Sequence, residues 1–237
     1  KQYLAEICFG VETDTQDAEG AVVRQGGRLP GVEEVQTALP GFLGISLQEP
    51  PAYSAKKVDG KRAHRMARSG QTPALTPQEI TLHSLTHVAQ TAQDRHLIRV
   101  VCSKGTYIRT LCRDIGRAMG TCAHMSFLLR EATGDFAIEH AVTLEELEEA
   151  LTSGASLTEW LTPLDAVLSG VPVFTVAPEW ETACLNGVPL PLSAGALAPT
   201  APDQPVRVIC RGTLVGLGIP SQQGIRVKPW LLESEEP

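Results

Sequence analysis

The sequence contains no apolar run that approaches the ~18 residues needed to span a bilayer, and no signal-peptide pattern opens it. Its hydrophobic content of 43% and charged content of 20% are ordinary for a globular protein. These features argue against a membrane partner. With 237 residues, the chain is long enough to bury a sizeable core and to form two domains.

Cysteine is present, but neither a Cys-x-x-Cys pair nor a Cys/His spacing typical of a zinc site occurs. Four of the cysteines lie in apolar strand or helix contexts, where a free thiol behaves as a small hydrophobic group. We interpret all six as reduced and structural, which fits a cytoplasmic protein, and we expect no structural metal. They are Cys8, Cys102, Cys112, Cys122, Cys184 and Cys210.

The formal net charge of −7 argues at first against a nucleic-acid partner, but the charges are unevenly distributed. Residues 56–68 carry six Lys or Arg residues opposed only by Asp59, and residues 95–117 carry six opposed only by Asp114. Because phosphate responds to the local patch, these two basic stretches favour RNA or DNA binding. For either stretch alone, a solvated helix face is the alternative interpretation.

The periodicity of apolar residues predicts both strands and helices. Strands are predicted over 3–9, 80–88 and 96–102, and an amphipathic helix is predicted to end at Gly120. An acidic helix is predicted over 144–151, and short strands separated by tight turns follow from residue 207. We therefore expect an α+β fold, with a mixed or antiparallel sheet, flanking helices and a small C-terminal all-β domain.

The run Cys102-Ser103-Lys104-Gly105-Thr106-Tyr107-Ile108-Arg109-Thr110 lies at a predicted strand–helix junction. Lys104 and Arg109 suit a phosphate-bearing ligand, and Tyr107 could stack on a base or move a proton. We place the helix N-cap at Thr110, because Tyr107 and Arg109 would point about 200° apart inside a helix. An ordinary turn with a half-buried Tyr is the alternative.

Taken in order, six segments of the sequence closely resemble the TruB family, the bacterial tRNA pseudouridine-55 synthases. They are Lys1-Gln2-Tyr3, Thr13-Asp14-Thr15-Gln16-Asp17-Ala18-Glu19-Gly20, the segment from Pro50 to Arg62, the run from Ser103 to Thr110, Leu128-Leu129-Arg130 and Thr143-Leu144-Glu145-Glu146-Leu147. The resemblance covers residues 1–150 and continues more weakly to the end. It implies a synthase domain over 1–165 with a thumb insertion over about 51–80, and a PUA-like RNA-binding domain over 172–237.

The family's nucleophilic Asp lies in a Gly-x-Leu-Asp-Pro-type segment upstream of the Lys-x-Tyr strand, and this sequence contains no such segment. Asp14 and Asp17 match a different element of the family and are not candidates for the nucleophile. We expect this chain to be the C-terminal part of a longer synthase and to be inactive by itself. Without the nucleophile, Arg109 is expected to lack its carboxylate partner, and its burial would then be costly.

The resemblance implies the isomerisation of uridine 55 in the tRNA T loop to pseudouridine, without a cofactor. Tyr3 matches the aromatic residue that stacks on the flipped base, and Leu128 matches an apolar wall of the uracil pocket. Tyr107 and Arg109 match the family's catalytic Tyr and the Arg that pairs with the nucleophile. A buried strand Tyr and a plain core Leu are the alternatives for Tyr3 and Leu128.

The resemblance also implies RNA contacts to the T arm of tRNA. The residues that we expect to make them are Tyr53, Lys56, Lys61, Arg62, Lys104 and Arg130. Leu129 stands where the family tends to have a first Arg before Arg130, so one contact is expected to be missing. We interpret His64 and His124 as structural, and we expect a monomer.

Two other functions are compatible with these residues. An RNA-binding or RNA-chaperone module without chemistry would explain the absence of the nucleophile. A guide-RNA-dependent relative of the dyskerin type would share the catalytic motifs, but the bacterial style of the thumb favours the first interpretation.

Overall fold

The computed structural model describes residues 1–54, 56–58, 61–69, 71, 74–201 and 203–229, without the side chains of residues 57, 58, 61, 62, 64, 67, 68, 159, 228 and 229. Its contacts divide the chain into two compact units, Lys1–Val142 and Thr143–Pro237. The functional domain bounds 1–165 and 172–237 remain predictions.

The first unit is built on strands and three helices. The strands are β1 (Gln2–Phe9), β2 (Val11–Thr13), β3 (Val22–Gln25), β4 (Gly44–Gln48), β5 (Lys57–Val58), β6 (Lys61–Arg62), β7 (Gln78–Ala92), β8 (Arg95–Cys102), β9 (Ala123–Thr133) and β10 (Phe136–Ala137). The helices are α1 (Val32–Ala38), α2 (Ala63–Arg68) and α3 (Ile108–Ala118), with 3-10 turns at Leu39–Phe42 and Ile138–His140.

A six-stranded sheet with the order β10-β9-β1-β8-β7-β4 forms the centre of this unit, and all of its pairings are antiparallel. On β1, the predicted alternation is confirmed, because Ala5, Ile7 and Phe9 are at most 1% exposed. They pack with Leu111 and Ile115 of α3, so this helix covers one face of the sheet. Gly120, with a φ of +71°, follows the helix as predicted.

Strand β4 is an edge strand of this sheet, and its apolar side chains face solvent. Ile45 is 71% exposed and Leu47 is 75% exposed. One edge of the sheet therefore exposes apolar residues. Such an edge offers unpaired backbone groups beside apolar side chains.

The second unit combines helices with a five-stranded sheet of order β12-β11-β13-β14-β15. Its strands are β11 (Val173–Val176), β12 (Gly195–Leu197), β13 (Val206–Cys210), β14 (Thr213–Ser221) and β15 (Gly224–Pro229), and its helices are α4 (Leu144–Ser153), α5 (Leu164–Val167) and α6 (Glu181–Leu185). Shorter 3-10 turns lie at Thr158–Trp160, Pro178–Trp180 and Leu192–Ala194. Only β11 and β13 run parallel.

A capping box formed by Thr143 and Glu146 determines where helix α4 begins. Thr143 accepts a hydrogen bond from the backbone N–H of Glu146, whose carboxylate accepts one from the N–H of Thr143. Gly154 ends the helix in the left-handed conformation. The α+β fold class, with a β-rich C-terminal part, is confirmed. In the described part of the chain, no helix has the length and apolar character needed to cross a membrane.

The close packing of α3 on β9 generates a stability prediction. A Cβ atom added at Gly116 would overlap the side chain of Ala123 and lie 3.0 Å from its backbone nitrogen. The better helix propensity of Ala, worth about 1 kcal/mol, offsets only part of a ~2–3 kcal/mol cost of overpacking against backbone. We expect Gly116→Ala to lower the free energy of unfolding of the first unit by about 1–2 kcal/mol.

Urea unfolding measured by ¹⁹F NMR with 3-fluorotyrosine reports on this unit, because all three tyrosines lie in it. Gly41→Ala is the matched control, since a Cβ there meets nothing within 4 Å. Equal stabilities of the two variants would contradict the proposed tight contact.

Candidate functional site

Three predicted site residues lie on one face of the sheet. Tyr3 of β1 pairs with Val100 on one side and Arg130 on the other, and Ala5 pairs with Leu128. Because directly opposed residues of antiparallel strands project to the same side, Tyr3, Leu128 and Arg130 share the face that α3 covers. The register therefore brings them together.

The exposure of these side chains separates the alternative interpretations. Leu128 is 41% exposed, so it is not a plain core residue. Tyr3 is half-buried and packs against the core, which leaves part of its ring accessible. Arg130 is exposed, and it forms no ion pair with any described residue.

The run that contains Tyr107 begins beside the first residues of β1. The terminal amino group of Lys1 donates to the carbonyl of Cys102 at 3.0 Å, and the N–H of Cys102 donates back at 2.9 Å. Strand β8 ends at Cys102 and leads through a turn to Tyr107. Tyr3 and the turn therefore belong to the same end of the sheet.

The prediction of a helix N-cap at Thr110 is wrong. Helix α3 begins at Ile108, and Tyr107 is its N-cap, with an extended backbone at φ −95° and ψ 107°. Thr110 lies fully buried inside the helix, where its hydroxyl donates to the carboxamide oxygen of Gln16 at 2.8 Å. Arg109 is thus in the first helical turn, while Tyr107 precedes the helix.

The expectation that Arg109 would lack a carboxylate partner is also wrong. Its guanidinium donates to the Asp17 carboxylate at 2.9 Å and to the carbonyl of Thr15 at 3.4 Å. Both side chains of the ion pair are largely buried, at 28% and 21% exposure. The pair therefore compensates for the charge that the fold removes from water.

The backbone around Gln16 places Asp17 next to Arg109. Gln16 has a φ of +66°, a conformation that a residue with a Cβ adopts only at a cost of about 1 kcal/mol or more. Its carbonyl accepts a hydrogen bond from the N–H of Met125, and its side chain is bound by Thr110. The surrounding contacts therefore hold the loop in a strained form that points Asp17 at the helix.

Both aspartates of this loop are already engaged. The hydroxyl of Thr15 and the N–H of Glu19 donate to Asp17, whose other oxygen is bound by Arg109. Asp14 is exposed and accepts from the N–H of Ala21 and the hydroxyl of Tyr53. Such engaged groups fit structural acceptors better than a nucleophile, in agreement with the sequence interpretation.

The second basic stretch is less free than its sequence suggests. Five of its six cations form ion pairs. Arg113 pairs with Asp114 of the same stretch, and the other four pair with carboxylates outside residues 95–117. The pairs are Arg95 with Glu6 and Asp94, Arg99 with Glu131, Arg109 with Asp17, Arg113 with Asp114 and Arg117 with Glu12. In the folded chain, carboxylates from other segments neutralise four of these cations, so the interpretation that Asp114 alone opposes the stretch is wrong. Among the described residues, Lys104 alone of the six lacks an ion pair.

The predicted RNA contacts are partly described. Tyr53 is half-buried with its hydroxyl near Asp14, while the ammonium of Lys56 donates to the carbonyl of Thr76 at 3.3 Å. Lys104 is exposed in the turn before α3. The side chains of Lys61 and Arg62, like that of His64, lie outside the described part of the structure.

His124 and the six cysteines are buried. His124 is 8% exposed and its ring bonds to the carbonyl of Val11 at 2.9 Å. All six cysteines are free and buried, and burial raises the pKa of the Cys8 and Cys184 thiols to about 11. Among the described residues, no group of three or more His, Cys, Asp or Glu side chains is placed to hold a metal ion.

Sequence reasoning missed three residues of the site. It assigned no role to Gln16 or Gln48, and it left Asp17 without a partner. The side chain of Gln48 bonds at both ends to the backbone of Tyr107. In β4 the apolar residues Ile45 and Leu47 alternate with Ser46 and Gln48, so the sequence marks Gln48 as outward-facing and gives no signal of its 4% exposure.

The sequence matches known protein families. Residues 1–108 match the description "TruB family pseudouridylate synthase (N terminal domain)", and residues 109–169 match "tRNA pseudouridylate synthase B C-terminal domain". The tRNA pseudouridine synthase B of Novosphingobium aromaticivorans is 41% identical over 79% of this chain and 62% of its own length. That of Burkholderia lata is 40% identical over 92% of this chain and 66% of its own length. The chain thus spans a little under two thirds of these relatives.

Solved structures agree in fold. The "Crystal Structure of a Cbf5-Nop10-Gar1 Complex" contains a chain with a TM-score of 0.69 and 22% identity, over 97% of this chain and 65% of that one. The "Structure of H/ACA RNP bound to a substrate RNA containing 2'-deoxyuridine" gives a TM-score of 0.68 at 20% identity, over 99% and 67%. At this identity the likeness concerns the fold alone. With the two family matches and the relatives above, the chain belongs to the TruB family of pseudouridylate synthases.

Proposed function

We propose that this chain provides part of the catalytic centre and of the RNA-binding surface of a tRNA pseudouridine synthase that isomerises uridine 55 in the T loop. The observation that carries the proposal is the shared sheet face of Tyr3, Leu128 and Arg130, at whose end the turn with Tyr107 begins. The names of the relatives support the substrate class.

The reaction requires a pocket that holds a base outside its stack. Extrusion of the uridine costs a few kcal/mol, which stacking and the exclusion of water can offset. Tyr3, partly accessible, is proposed to stack on the flipped base, and the exposed side of Leu128 to form an apolar wall. Because the glycosidic bond is broken and the uracil is rejoined through carbon, the pocket must also retain the detached base.

Two residues at the start of α3 are proposed to act on the reacting groups. Tyr107 would take part in removing the proton from carbon, and its phenol makes no hydrogen bond to any described residue, so it is available. Arg109 would hold the carboxylate nucleophile of the family. Asp17, which already bonds to Arg109 at 2.9 Å, would keep the guanidinium in place.

The thumb segment (residues 51–80) and the sheet surface are proposed to contact the T arm. Lys56, Lys61 and Arg62 would bind phosphates from the thumb segment, with Tyr53 as a supporting aromatic. Lys104 and Arg130 are exposed cations without an ion pair among the described residues, so they would bind phosphate near the pocket. We place the protein in the cytoplasm as a monomer.

RNA binding without chemistry is the second candidate. It is favoured by the engagement of both Asp14 and Asp17 in hydrogen bonds. The likeness to Cbf5-containing structures does not argue for guide-RNA dependence, because it concerns the fold alone.

The first prediction is that this chain, by itself, does not isomerise uridine. A tyrosine and an arginine cannot replace a carboxylate nucleophile, and Asp17 is engaged by Arg109. Tritium release from 5-tritiated uridine in a T-arm hairpin measures the reaction. The synthase of Novosphingobium aromaticivorans is the positive control, and turnover by this chain would contradict the interpretation of Asp14 and Asp17.

The second prediction concerns the salt dependence of T-arm binding. Each lost phosphate contact reduces the slope of log affinity against log salt by roughly 0.7 to 0.9. Replacing Lys56, Lys61 and Arg62 with Ala should therefore weaken binding and flatten the slope by roughly 2 to 3.

Fluorescence anisotropy of a labelled hairpin at several salt concentrations gives this slope. Tyr3→Ala is the control. Base stacking releases no counterions, so its loss should weaken binding but leave the salt slope unchanged. If the triple variant keeps both affinity and slope, the thumb segment does not bind phosphate.

The third prediction tests the ion pair. Asp17→Asn preserves the shape of the side chain but leaves the largely buried Arg109 without a carboxylate. We expect the free energy of unfolding to fall by about 1–3 kcal/mol, between the values typical of exposed and of buried pairs.

Asp14→Asn is the matched control, because Asp14 lies in the same loop, is exposed and forms no ion pair with the described residues. Urea unfolding of both variants measures the difference. Equal losses would mean that the Asp17–Arg109 pair makes no specific contribution.

A further inference from the structure

A buried glutamine holds the backbone of Tyr107 at two points. Gln48, the last residue of β4, is 4% exposed. Its carboxamide oxygen accepts from the N–H of Tyr107 at 2.8 Å, and its nitrogen donates to the carbonyl of Tyr107 at 3.1 Å. These are the two bonds that a neighbouring β-strand would make, here supplied by one side chain to one residue.

A second glutamine reinforces the same turn. Gln78, the first residue of β7, lies directly opposite Gln48 in the sheet and donates to the carbonyl of Gly105 at 2.5 Å. Further along β7, the carbonyl of Thr81 accepts from the N–H of Ser103 at 2.9 Å. The turn from residue 103 to 107 is thus attached to β4 and β7 at three places.

The two glutamines also lie at the ends of the thumb segment. Gln48 precedes it by three residues, and Gln78 lies near its end, where β7 begins. The chain therefore leaves the sheet and returns to it at the pair of residues that bind the turn with Tyr107. The residues at the ends of the thumb segment thus also bind the backbone of the turn that carries the Tyr107 phenol.

We propose that Gln48 is a positioning residue for Tyr107. Two bonds to the backbone of one residue fix both the location and the orientation of its Cα–Cβ bond, and the phenol itself makes no hydrogen bond to the described residues. The position of the ring consequently depends on its backbone. A displacement of about 1 Å can reduce a reaction rate by about 10²-fold, so such a support matters wherever Tyr107 acts. The assignment of Tyr107 to the chemistry rests on the proposed function, whereas the assignment of Gln48 to Tyr107 rests on the geometry.

The test uses the three tyrosines of the chain as reporters. Incorporation of 3-fluorotyrosine gives a ¹⁹F resonance each for Tyr3, Tyr53 and Tyr107, which single Tyr→Phe variants assign. In Gln48→Ala, the Tyr107 resonance should shift and broaden, while the resonance of Tyr3 stays in place. Gln48→Glu keeps the acceptor for the N–H of Tyr107 but loses the donor, so a smaller change is expected.

Gln90→Ala is the matched control, because this glutamine lies on β7, the strand paired with β4, but is exposed and donates only locally, to the carbonyl of Gln93. It should leave all three resonances unchanged. If Gln48→Ala lowers stability but leaves the Tyr107 resonance unmoved, Gln48 is merely structural and the proposal is overturned. If Gln48→Ala does not fold, Gln48→Glu decides in the same way.

Addition of a T-arm hairpin to the unsubstituted chain separates this proposal from the proposed function. A response of Tyr3 and Tyr107 to the RNA supports the function. If the RNA moves no resonance but Gln48→Glu still moves that of Tyr107, the proposed function fails while the positioning role stands.

Discussion

The pairing of β1 with β8 and β9 is the constraint on which the first unit depends. This strand lies in the interior of the sheet and bonds to neighbours on both sides along most of its length. Its inward side chains fill the core beneath α3 and set the row in which Tyr3 meets Arg130. A shift of one residue would turn every side chain of β1 to the other face, so the core and the candidate site share one register.

Charge is used in this protein mainly to hold distant segments together. Arg99 binds Glu131 with two hydrogen bonds, and Arg117 binds a Glu12 that is only 9% exposed. Exposed pairs contribute about 0–1 kcal/mol each, so their larger effect is to neutralise cations that would otherwise form a broad basic surface. Among the described residues, the positive charge of residues 95–117 that remains without an ion pair is consequently that of Lys104. An acidic protein can thus present local positive charge without a basic face.

Local pattern located some elements of the fold and missed others. Alternation located β1 and β8, the apolar stripe with Leu111 and Ile115 located α3, and the acidic helix predicted over 144–151 is α4, whereas β9 was not predicted as a strand. Ion pairs between residues far apart in sequence left no local signal, so the partner of Arg109 was missed. The start of α3 was misplaced because Thr110 is a good capping residue, yet burial against Gln16 uses its hydroxyl instead. Motif order placed Tyr3, Tyr107 and Leu128, whereas Gln48 emerges only from the three-dimensional contacts.

The site is closed by contacts between residues that are very distant along the chain. The Asp17–Arg109 bond spans 92 residues, and the bond of Lys1 to Cys102 spans 101. At a synthesis rate of about 5–20 residues per second, roughly 5–18 s pass between the appearance of Asp17 and that of Arg109. Until Arg95 is made, β1 has neither of its neighbours, and the alternating apolar residues that later fill the core lack their partners. The topology that builds the candidate site therefore leaves the nascent first half of the chain prone to association until β8 and β9 have been made.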